Sequence, residues 1–437
     1  MKYIGIDIGT SSICGVVAEY RNQVLDSITL ENNTNIKSLK TWEKVQDPEK
    51  ILSLAAEIIN TFCRRYNDIK GIGVTGQMHG ILYVDQNGNS LSPLFTWQDG
   101  RGNEMYSNDK TYSKLLSESS GYSLSAGYGL MTHFYNLQNK LVPEGASKIC
   151  TIMDYVVMKL TGGKSPKTDS TNAAALGFFD LQNLKFDKDA LNACGILPDI
   201  LPELVQSAQL TGTYKNIPVY SAIGDNQASF LGSVNDIPNS VHITVGTSGQ
   251  ISVYSDKYLK IDNLDTRPFP GGGYILVGAS LCGGKSFEIL KDFFADTLKL
   301  FVPDFSGKID FYEIMTSIDF SKMERDEPIV ESTFQGSRAM PLKRASITHL
   351  SDNNFTPEYL ITAFMKAIAR ELYDFFCLIP EELRNSKKIL VGSGNAIRMN
   401  KLLRMAIAHQ FNKNLTNSIH HEEAAYGATV AITSNIG

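Results

Sequence analysis

The sequence predicts an α/β protein of two domains, and three observations support this fold class. The chain has 437 residues, which is more than one hydrophobic core usually serves. Candidate strands and helices alternate in both halves. A short pattern, in which an apolar strand runs into a Gly-Thr-Ser turn, occurs twice, in residues 4–12 and 242–249. The separation of the two copies matches two domains of roughly equal size.

Elements of the first half are assigned from apolar periodicity and turn residues. Asp47-Pro48 has the form of a helix N-cap followed by a first-turn proline, and the apolar period after it predicts a helix to about Tyr66. The other elements expected here are strands at about 2–9, 13–19, 23–30, 69–75 and 81–84, helices at about 103–118 and 151–161, a strand at 219–223 and a short helix that opens within 224–227.

The polar stretch 235–239 is the expected domain boundary, because the strand of the second Gly-Thr-Ser copy begins directly after it. This boundary gives an N-terminal domain at 1–234 and a C-terminal domain at 235–437. The elements expected in the second half are helices at about 285–298, 356–378, 395–411 and 422–433, and strands at 273–278 and 388–391.

Composition and charge exclude several classes of protein. The net charge is −5 and no long basic run occurs, so nucleic acid is not an expected partner. Six cysteines are scattered without metal-ligand spacing, which is typical of buried thiols in a reducing compartment. No apolar run has membrane-spanning length, and the first residues enter a strand without room for a signal peptide. We therefore expect a cytoplasmic enzyme with no membrane partner.

The two Gly-Thr-Ser turns are suited to binding phosphate. Such a turn allows close approach of the backbone to a ligand, and its N–H groups and hydroxyls bind anions. Two of them facing each other would hold a polyphosphate. Asp7 precedes the first turn, where a carboxylate can hold a divalent cation, whereas Thr244 stands at the equivalent position before the second. The alternative is two unrelated strand ends, because these residues are common in turns.

Two other glycine patterns do not support a nucleotide fingerprint. Residues 71–76 match G-x-G-x-x-G, but a dinucleotide site requires a helix after the pattern, and residues 81–84 continue as a strand. Gly284-Lys285-Ser286 resembles the end of a phosphate-binding loop, but Ala279 stands where the first glycine is needed. We expect instead a glycine loop and helix start that contact nucleotide in another way.

Five short segments follow one another in an order and spacing typical of a single family. They are Gly5-Ile6-Asp7-Ile8-Gly9-Thr10-Ser11, Thr75-Gly76-Gln77-Met78-His79-Gly80, Gly224-Asp225-Asn226-Gln227-Ala228, Val245-Gly246-Thr247-Ser248-Gly249 and Val391-Gly392-Ser393-Gly394-Asn395. On these segments the chain resembles the FGGY carbohydrate kinases of the actin and hexokinase superfamily over nearly its whole length. The resemblance implies two ribonuclease H-like domains around a hinged cleft, the first binding sugar, phosphate and metal and the second binding nucleotide.

Further segments resemble one branch of the family. Residues 77–80 are similar to xylulokinases and sedoheptulokinases, because glycerol kinases usually have Arg-Glu in place of Met78-His79. Residues 96–101, 151–157 and 169–174 resemble sedoheptulokinases, although the last segment departs slightly from them. The resemblance implies an ATP-dependent kinase that phosphorylates the terminal hydroxyl of a ketose, with sedoheptulose giving sedoheptulose 7-phosphate. Xylulose is the alternative substrate.

The resemblance also implies roles for individual residues. Asp225 is expected to be catalytic and to bind the substrate hydroxyl, and Asp7 and Asp225 are expected to hold Mg²⁺. The expected ligands of the sugar are, besides Asp225, Gln77, Met78, His79, Asp99, Arg101 and Asp154. The expected ligands of ATP are Gly9, Thr10, Ser11, Gly246, Thr247, Ser248, Gly283, Gly284, Gly392, Gly394 and Asn395.

Each of these residues has a structural alternative. Asp225 could be an exposed turn or N-cap residue, and His79 a hydrogen-bonded core histidine. Asp99 and Arg101 could be a surface ion pair. Asp154 lies in an apolar helix, where burial without a partner is costly, so a structural hydrogen bond is the alternative to sugar contact. The glycines between 392 and 395 could form only a tight turn and cap.

Two other functions share the expected fold. One is a sugar-sensing regulator without catalysis, which usually carries a DNA-binding helix-turn-helix before its first turn. The other is a nucleotide-driven filament or chaperone, which the sugar-contact segment around His79 disfavours. The oligomeric state is open, with a homodimer as one candidate.

Overall fold

The chain forms two compact units. The computed structural model describes residues 1–19, 23–319, 327–336, 340 and 342–434. Unit 1 comprises Met1–Gly232, Arg267–Gly273 and Glu422–Gly437, and unit 2 comprises Ser233–Thr266 and Tyr274–His421. Each unit combines a mixed sheet with helices, which confirms the predicted α/β class. The functional division at residues 234 and 235 stays a prediction.

Unit 1 is built on a mixed sheet. Its described strands are β1 (Lys2–Ile8), β2 (Ser12–Glu19), β3 (Val24–Glu31), β4 (Asn35–Ile36), β5 (Val45–Gln46), β6 (Ile69–Gly76), β7 (Leu82–Val84), β8 (Leu94–Phe95), β9 (Met105–Ser107), β10 (Lys110–Thr111), β11 (Lys148–Cys150), β12 (Lys167–Asp169), β13 (Phe179–Asp180), β14 (Lys185–Phe186), β15 (Glu203–Val205), β16 (Leu210–Tyr214), β17 (Ile217–Tyr220) and β18 (Ile223–Gly224). The central sheet has the order β16-β17-β6-β1-β2-β3, and β18 pairs with β6. β1, β2 and β3 form an antiparallel meander, and β6 runs parallel to β1.

The helices of unit 1 before residue 234 cover this sheet and the loops at its edge. They are α1 (Pro48–Arg65), α2 (Tyr112–Ser120), α3 (Gly129–Gln138), α4 (Ile152–Leu160), α5 (Ser170–Leu176), α6 (Lys188–Ala193) and α7 (Asp225–Ser233), with 3₁₀ turns at Arg101–Asn103 and Pro198–Ile200. The start of α1 is as predicted, because Asp47 Oδ1 accepts hydrogen bonds from the backbone of Glu49 at 3.1 Å and of Lys50 at 3.2 Å. Its buried face repeats at helical spacing, through Ile51, Ala55, Ile58, Ile59 and Phe62.

Unit 2 contains a second mixed sheet with the same local pattern. The strands are β19 (Ser240–Val245), β20 (Gly249–Ser255), β21 (Asp265–Pro268), β22 (Tyr274–Ser280), β23 (Ile329–Glu331), β24 (Ser346–Thr348), β25 (Ile389–Ser393) and β26 (Leu415–Asn417), and the helices are α8 (Gly284–Phe301), α9 (Phe311–Thr316), α10 (Pro357–Cys377), α11 (Glu381–Ser386), α12 (Asn395–Met399) and α13 (Lys401–Phe411). The last two residues of β21, Arg267 and Pro268, are assigned to unit 1. The sheet order is β21-β22-β20-β19-β25-β26. β19, β20 and β22 form an antiparallel meander, and β25 runs parallel to β19.

The C-terminal helix α14 (Glu423–Ser434) packs on the sheet of unit 1. Gly5 of β1 and Gly73 of β6 are paired in register. A Cβ atom would lie 1.9 Å from Ala425 O at Gly5 and 2.4 Å from Ala428 O at Gly73, so both positions require glycine for this close approach. The glycine pattern at 71–76 therefore lies within β6, where it allows α14 to pack closely, and it opens no helix, as predicted.

Two predicted helices are partly wrong. Residues 105–107 and 110–111 pair as strands, and α2 begins only at Tyr112, where the Thr111 hydroxyl accepts from Lys114 N at 3.2 Å. The predicted helix at 395–411 is interrupted at Asn400, whose side chain accepts from Leu403 N at 3.0 Å and so caps α13. No helix among the described residues has the length and apolar character needed to cross a membrane.

Candidate active site

The first Gly-Thr-Ser turn, residues 9–11, connects β1 to β2 in unit 1. The Thr10 hydroxyl donates to Gln77 Oε1 at 3.2 Å and accepts from the Trp97 indole at 3.0 Å. Gln46 donates from Nε2 to Thr10 O at 2.8 Å, and its Oε1 accepts from Gln77 Nε2 at 2.8 Å. The turn and the predicted sugar ligand Gln77 therefore belong to one hydrogen-bonded group.

Met78 and His79, both predicted sugar ligands, lie in the loop that follows β6. His79 has a φ of 73°, a left-handed conformation that is uncommon for a non-glycine residue and is enriched at functional sites. Its Nδ1 lies 2.8 Å from Ala175 O, and its ring centroid lies 4.7 Å from that of Tyr128. Met78 packs against Gly224, where a Cβ atom would meet the Met78 sulfur at 2.7 Å. The loop thus touches the residue directly before α7.

Asp225, the predicted catalytic carboxylate, is the first residue of α7 and directly follows β18. Asp225 and Asp7 both keep partial contact with solvent. Burial raises the pKa of Asp225 to about 6, an effect that the positive charge of Arg267 opposes. Burial also raises the pKa of Asp7 to about 7, and the negative charges of Asp225 and Glu422 add to the rise. The two predicted metal ligands therefore repel each other within one unit.

The second Gly-Thr-Ser turn, residues 246–248, connects β19 to β20 in unit 2 and is exposed. Gly246 O accepts from Gly284 N at 2.9 Å, and Thr247 O accepts from Lys285 N at 3.0 Å. These two bonds fix the turn to the start of α8. Two of the predicted nucleotide-binding loops, around residues 246 and 284, are thereby joined.

Glycines of two loops approach this turn and the end of the strand that leads into it, with no room for a side chain. A Cβ atom at Gly283 or Gly284 would lie 2.5 or 2.4 Å from backbone atoms of the second turn. At Gly394 it would lie 2.5 Å from Val245 O, and Gly394 also has a left-handed φ of 85°. Asn395 follows as the first residue of α12. The predicted nucleotide-binding glycines of unit 2 therefore surround one turn.

A cavity of about 770 Å³ opens beside the second turn. Its volume is in the range of small-molecule and cofactor sites. The predicted nucleotide ligands that line it are Gly246, Thr247, Gly284 and Asn395, and the lining residues outside that prediction include Lys285, Phe287, Glu288, Asp310, Tyr312, Glu313 and Met365. Ser248, Gly283, Gly392 and Gly394 lie in the same loops or strand ends without lining the cavity.

Residues 2–232, more than half of the chain, match the N-terminal domain of the FGGY family of carbohydrate kinases. The chain belongs to this family. It is therefore a carbohydrate kinase, an ATP-dependent phosphotransferase, and the predicted family and enzyme class are confirmed.

The proteins that are similar to this chain are named after different sugars. The FGGY chain is 25% identical over 454 residues to sedoheptulokinase from Mus musculus, covering 93% of this chain and 92% of that protein. It is 26% identical over 455 residues to xylulose kinase from Staphylococcus xylosus, covering 98% of this chain and 89% of that protein. The crystal structure of gluconate kinase from Lactobacillus acidophilus matches with a TM-score of 0.82 at 19% identity, covering 100% of this chain and 90% of that chain. These matches confirm the fold and leave the sugar undetermined.

The carboxylates of unit 1 fit a magnesium ion that is shared with a nucleotide. Mg²⁺ usually takes one or two protein carboxylates and fills its other positions with water and phosphate oxygens. Asp7 and Asp225 offer two such groups. Burial raises the pKa of both, and the charges of Asp225 and Glu422 add to the rise at Asp7, so a cation bound there would relieve that repulsion. Across the described residues, no set of three or more His, Cys, Asp or Glu side chains is arranged to hold a metal alone.

Asp99 and Arg101 form an ion pair, but it is buried rather than superficial. They are 1% and 2% exposed, and Arg101 Nε donates to Asp99 Oδ1 at 2.6 Å. Arg101 Nη1 also donates to Asn136 Oδ1 at 2.5 Å, and its guanidinium carbon lies 4.1 Å from the centroid of Phe95. Asp99 Oδ2 accepts from Lys44 N at 3.0 Å. These contacts favour a structural role, and contact with sugar stays a prediction.

Asp154 is also buried, at 1% exposure, in the third position of α4. Its backbone N–H donates to the Thr151 hydroxyl at 3.2 Å, which caps the helix. Neither of its carboxyl oxygens makes a hydrogen bond of normal geometry within the described part of the chain. Burial raises the pKa of Asp154 to about 8, so the carboxyl is neutral at pH 7. The structure favours a structural Asp154, and its predicted sugar contact stays untested.

Two residues outside the predicted set lie at the candidate sites. Trp97 is 48% exposed and bonded to Thr10, and its place inside the motif at 96–101 is the signal that could have selected it. Tyr312 lines the cavity from α9, a helix of only six residues. So short a helix has too few residues for apolar periodicity to reveal it.

Proposed function

We propose that this FGGY kinase transfers the γ-phosphate of ATP to the terminal primary hydroxyl of a ketose, with sedoheptulose as the expected substrate and sedoheptulose 7-phosphate as the product. The observation that carries the proposal is Asp225, a partly exposed carboxylate at the start of α7 with a pKa raised to about 6. Such a group is mostly ionised at neutral pH and accepts a proton more readily than an ordinary aspartate.

Asp225 is the proposed proton acceptor. The pKa of an alcohol is roughly 16, so a carboxylate does not ionise the hydroxyl in advance. Asp225 orients the hydroxyl and takes its proton while the new P–O bond forms and the bond to the leaving ADP breaks. The charge of Arg267 lowers the pKa of Asp225 and so keeps the carboxylate ionised.

Asp7 and Asp225 are the proposed protein ligands of Mg²⁺, which when bound supplies positive charge to the phosphates. The backbone N–H groups of the two Gly-Thr-Ser turns are the proposed ligands of phosphate oxygens. In unit 2 the cavity lined by Phe287, Tyr312 and Met365 is the proposed nucleoside site.

Gln77 and His79 are the proposed ligands of the sugar hydroxyls. Gln77 is bonded to Thr10, and His79 is held in a left-handed conformation in the loop that reaches Gly224. Sedoheptulose is favoured by the resemblance of residues 96–101 and 151–157 to sedoheptulokinases and by the alignment with the mouse enzyme. Xylulose is the second candidate, because the S. xylosus xylulose kinase aligns equally well.

The test is ADP release with sedoheptulose, xylulose, ribulose, fructose, gluconate and glycerol. A site that pairs an extra hydroxyl discriminates against a sugar that lacks it, so sedoheptulose should give the highest kcat/KM. A kcat/KM for xylulose about tenfold higher than for sedoheptulose would overturn the choice of sugar. ADP binding without turnover of any sugar would instead support a sugar-sensing protein.

A further inference from the structure

Three side chains beneath the second turn form a hydrogen-bonded group in unit 2, which we call the 242–244–393 network. Ser393 Oγ lies 2.8 Å from His242 Nε2 and 2.8 Å from Thr244 Oγ1. Thr244 Oγ1 lies 3.3 Å from His242 Nε2. His242 and Ser393 are 2% and 1% exposed, so the network is closed to solvent on these two members.

The network faces away from the main core of unit 2. Val241, Ile243 and Val245 of β19 belong to that core. Because successive side chains of a strand point to opposite faces, His242 and Thr244 lie together on the other face.

The network joins the ends of the two strands that carry the loops of the candidate nucleotide site. Thr244 is paired in register with Ser393. The second turn begins two residues after Thr244, and Gly394 directly follows Ser393. A Cβ atom at Gly394 would collide with Val245 O, so the two chain segments touch directly above the network.

The network has little tolerance for loss of a member. Burial lowers the pKa of His242 to about 4, so its imidazole is neutral at neutral pH. Nε2 of a neutral imidazole either donates or accepts, and each hydroxyl does both, so every member of the network supplies a donor or acceptor that another member uses. Removal of one hydroxyl leaves a buried polar atom with fewer partners, and a shift of the strand ends is the available relief.

We propose that Thr244, Ser393 and His242 are positioning residues for the nucleotide: they fix the separation of the second turn and residues 394–395, and thereby the affinity of unit 2 for adenine nucleotides. The inference rests on the proposed nucleotide-binding role of these loops. Ser393 is almost wholly buried, so it acts through the network and not by touching the nucleotide.

The test compares Thr244→Val, which keeps the shape of threonine without its hydroxyl, with Thr244→Ser, which keeps the hydroxyl. Loss of a neutral hydrogen bond predicts that Thr244→Val raises the KM for ATP and the Kd for ADP by roughly fivefold. The KM for the sugar should stay unchanged and Thr244→Ser should behave as the wild type. Ser393→Ala should reproduce the effect of Thr244→Val.

Ser255→Ala is the matched control. Ser255 is a 3% exposed residue at the far end of β20, and its hydroxyl donates to Lys257 O at 2.8 Å. This variant should change the melting temperature without changing either constant. An unchanged ADP Kd in Thr244→Val, or an equal rise in Ser255→Ala, would overturn the proposal. A wild-type protein that fails to bind ADP would instead overturn the proposed function. If Ser393→Ala does not fold, the comparison of Thr244→Val with Thr244→Ser still tests the proposal.

Discussion

The two Gly-Thr-Ser turns share the same strand pairing and differ in the side chains of the strands that lead into them. Each turn joins the first two strands of an antiparallel meander, and the first strand also pairs with a parallel neighbour. In the first unit Asp7 is in register with Thr75, and in the second Thr244 is in register with Ser393. One position therefore holds an acid in one unit and a hydroxyl in the other.

This single position changes the electrostatics of each turn. Beneath the first turn, burial raises the pKa of Asp7 to about 7 and repulsion by Asp225 and Glu422 adds to the rise, which favours a cation nearby. Beneath the second, His242 is neutral and lies within hydrogen-bonding distance of two hydroxyls. The cavity beside that turn is lined by apolar side chains, Phe287 and Met365 among them, and by the charged side chains Lys285, Glu288, Asp310 and Glu313. The comparison sharpens the proposed division of labour: the same backbone would offer N–H groups to an anion in both units, and the residue three positions before the turn threonine would decide whether the turn serves a metal or a nucleotide.

The largest expected effect is that of Asp225→Asn in unit 1. Asparagine keeps the size of aspartate but cannot accept the proton, so kcat should fall by roughly a hundredfold or more. The Kd for ADP, measured by calorimetry, should change little because the proposed nucleoside site lies in unit 2. If Asp225 were only a turn or cap residue, asparagine would serve as well and kcat would be nearly normal. Near-normal turnover in the folded variant would remove Asp225 from the mechanism.

The next effect is expected from Asp7→Thr, which gives the first turn the residue of the second. Loss of the carboxylate should raise the Mg²⁺ concentration needed for half-maximal activity by about tenfold, since Asp7 would no longer contribute to the cation site. Titration of activity with Mg²⁺ at saturating ATP measures this shift. Glu31→Gln, on an exposed residue of the same sheet, is the control and should leave the titration unchanged. An unshifted Mg²⁺ titration in Asp7→Thr would contradict the role of Asp7.

The repeated strands and the family segments were predictable because local sequence encodes them. Apolar alternation and Gly-Thr-Ser mark both turns, and Asp47-Pro48 marks the start of α1. The α/β class and the candidate loops followed from these signals. The interruption at Asn400 was not predicted, although its side chain acts locally, because asparagine is also tolerated inside a helix.

The remainder depends on partners that are distant in sequence. Thr244 and Ser393 are separated by 149 positions, and Arg101 and Asn136 by 35. No local pattern announces that such residues will meet, so a buried Arg101 resembled a surface ion pair in the sequence. The return of α14 to unit 1 has the same cause, because the glycines that receive it lie in β1 and β6.

A smaller effect is expected from Gly394→Ala in unit 2. The left-handed φ of 85° and the 2.5 Å approach to Val245 O both oppose a Cβ atom, so the loop must shift. A strain of about 1 kcal/mol corresponds to roughly a fivefold rise in the KM for ATP, with the KM for the sugar unchanged. Gly162→Ala is the control: its φ of 69° gives similar strain with open space around it. If both variants raise the KM for ATP equally, the close approach at Gly394 is irrelevant to nucleotide binding.

The smallest expected effect concerns Asp154, whose carboxyl group is buried in unit 1. Its folded-state pKa of about 8 lies above the ordinary value, so the folded protein keeps a proton that the unfolded chain releases. The stability that this proton contributes is full at low pH and is lost as the pH rises towards 8. Asp154→Asn removes the dependence, because an amide does not titrate.

Urea unfolding at pH 7 and pH 8 measures this difference between Asp154→Asn and the wild type. From the lower to the higher pH, the free energy of unfolding of the variant relative to that of the wild type should rise by about 1 kcal/mol. The reason is that only the wild type must ionise a buried carboxyl. Asp199→Asn, on an exposed side chain, should track the wild type at both pH values. A pH-independent difference together with a raised KM for the sugar would mean that Asp154 is an ionised sugar ligand. In that case Asp154 would join Asp7 and Asp225 as an acid of unit 1 that serves a substrate or metal site.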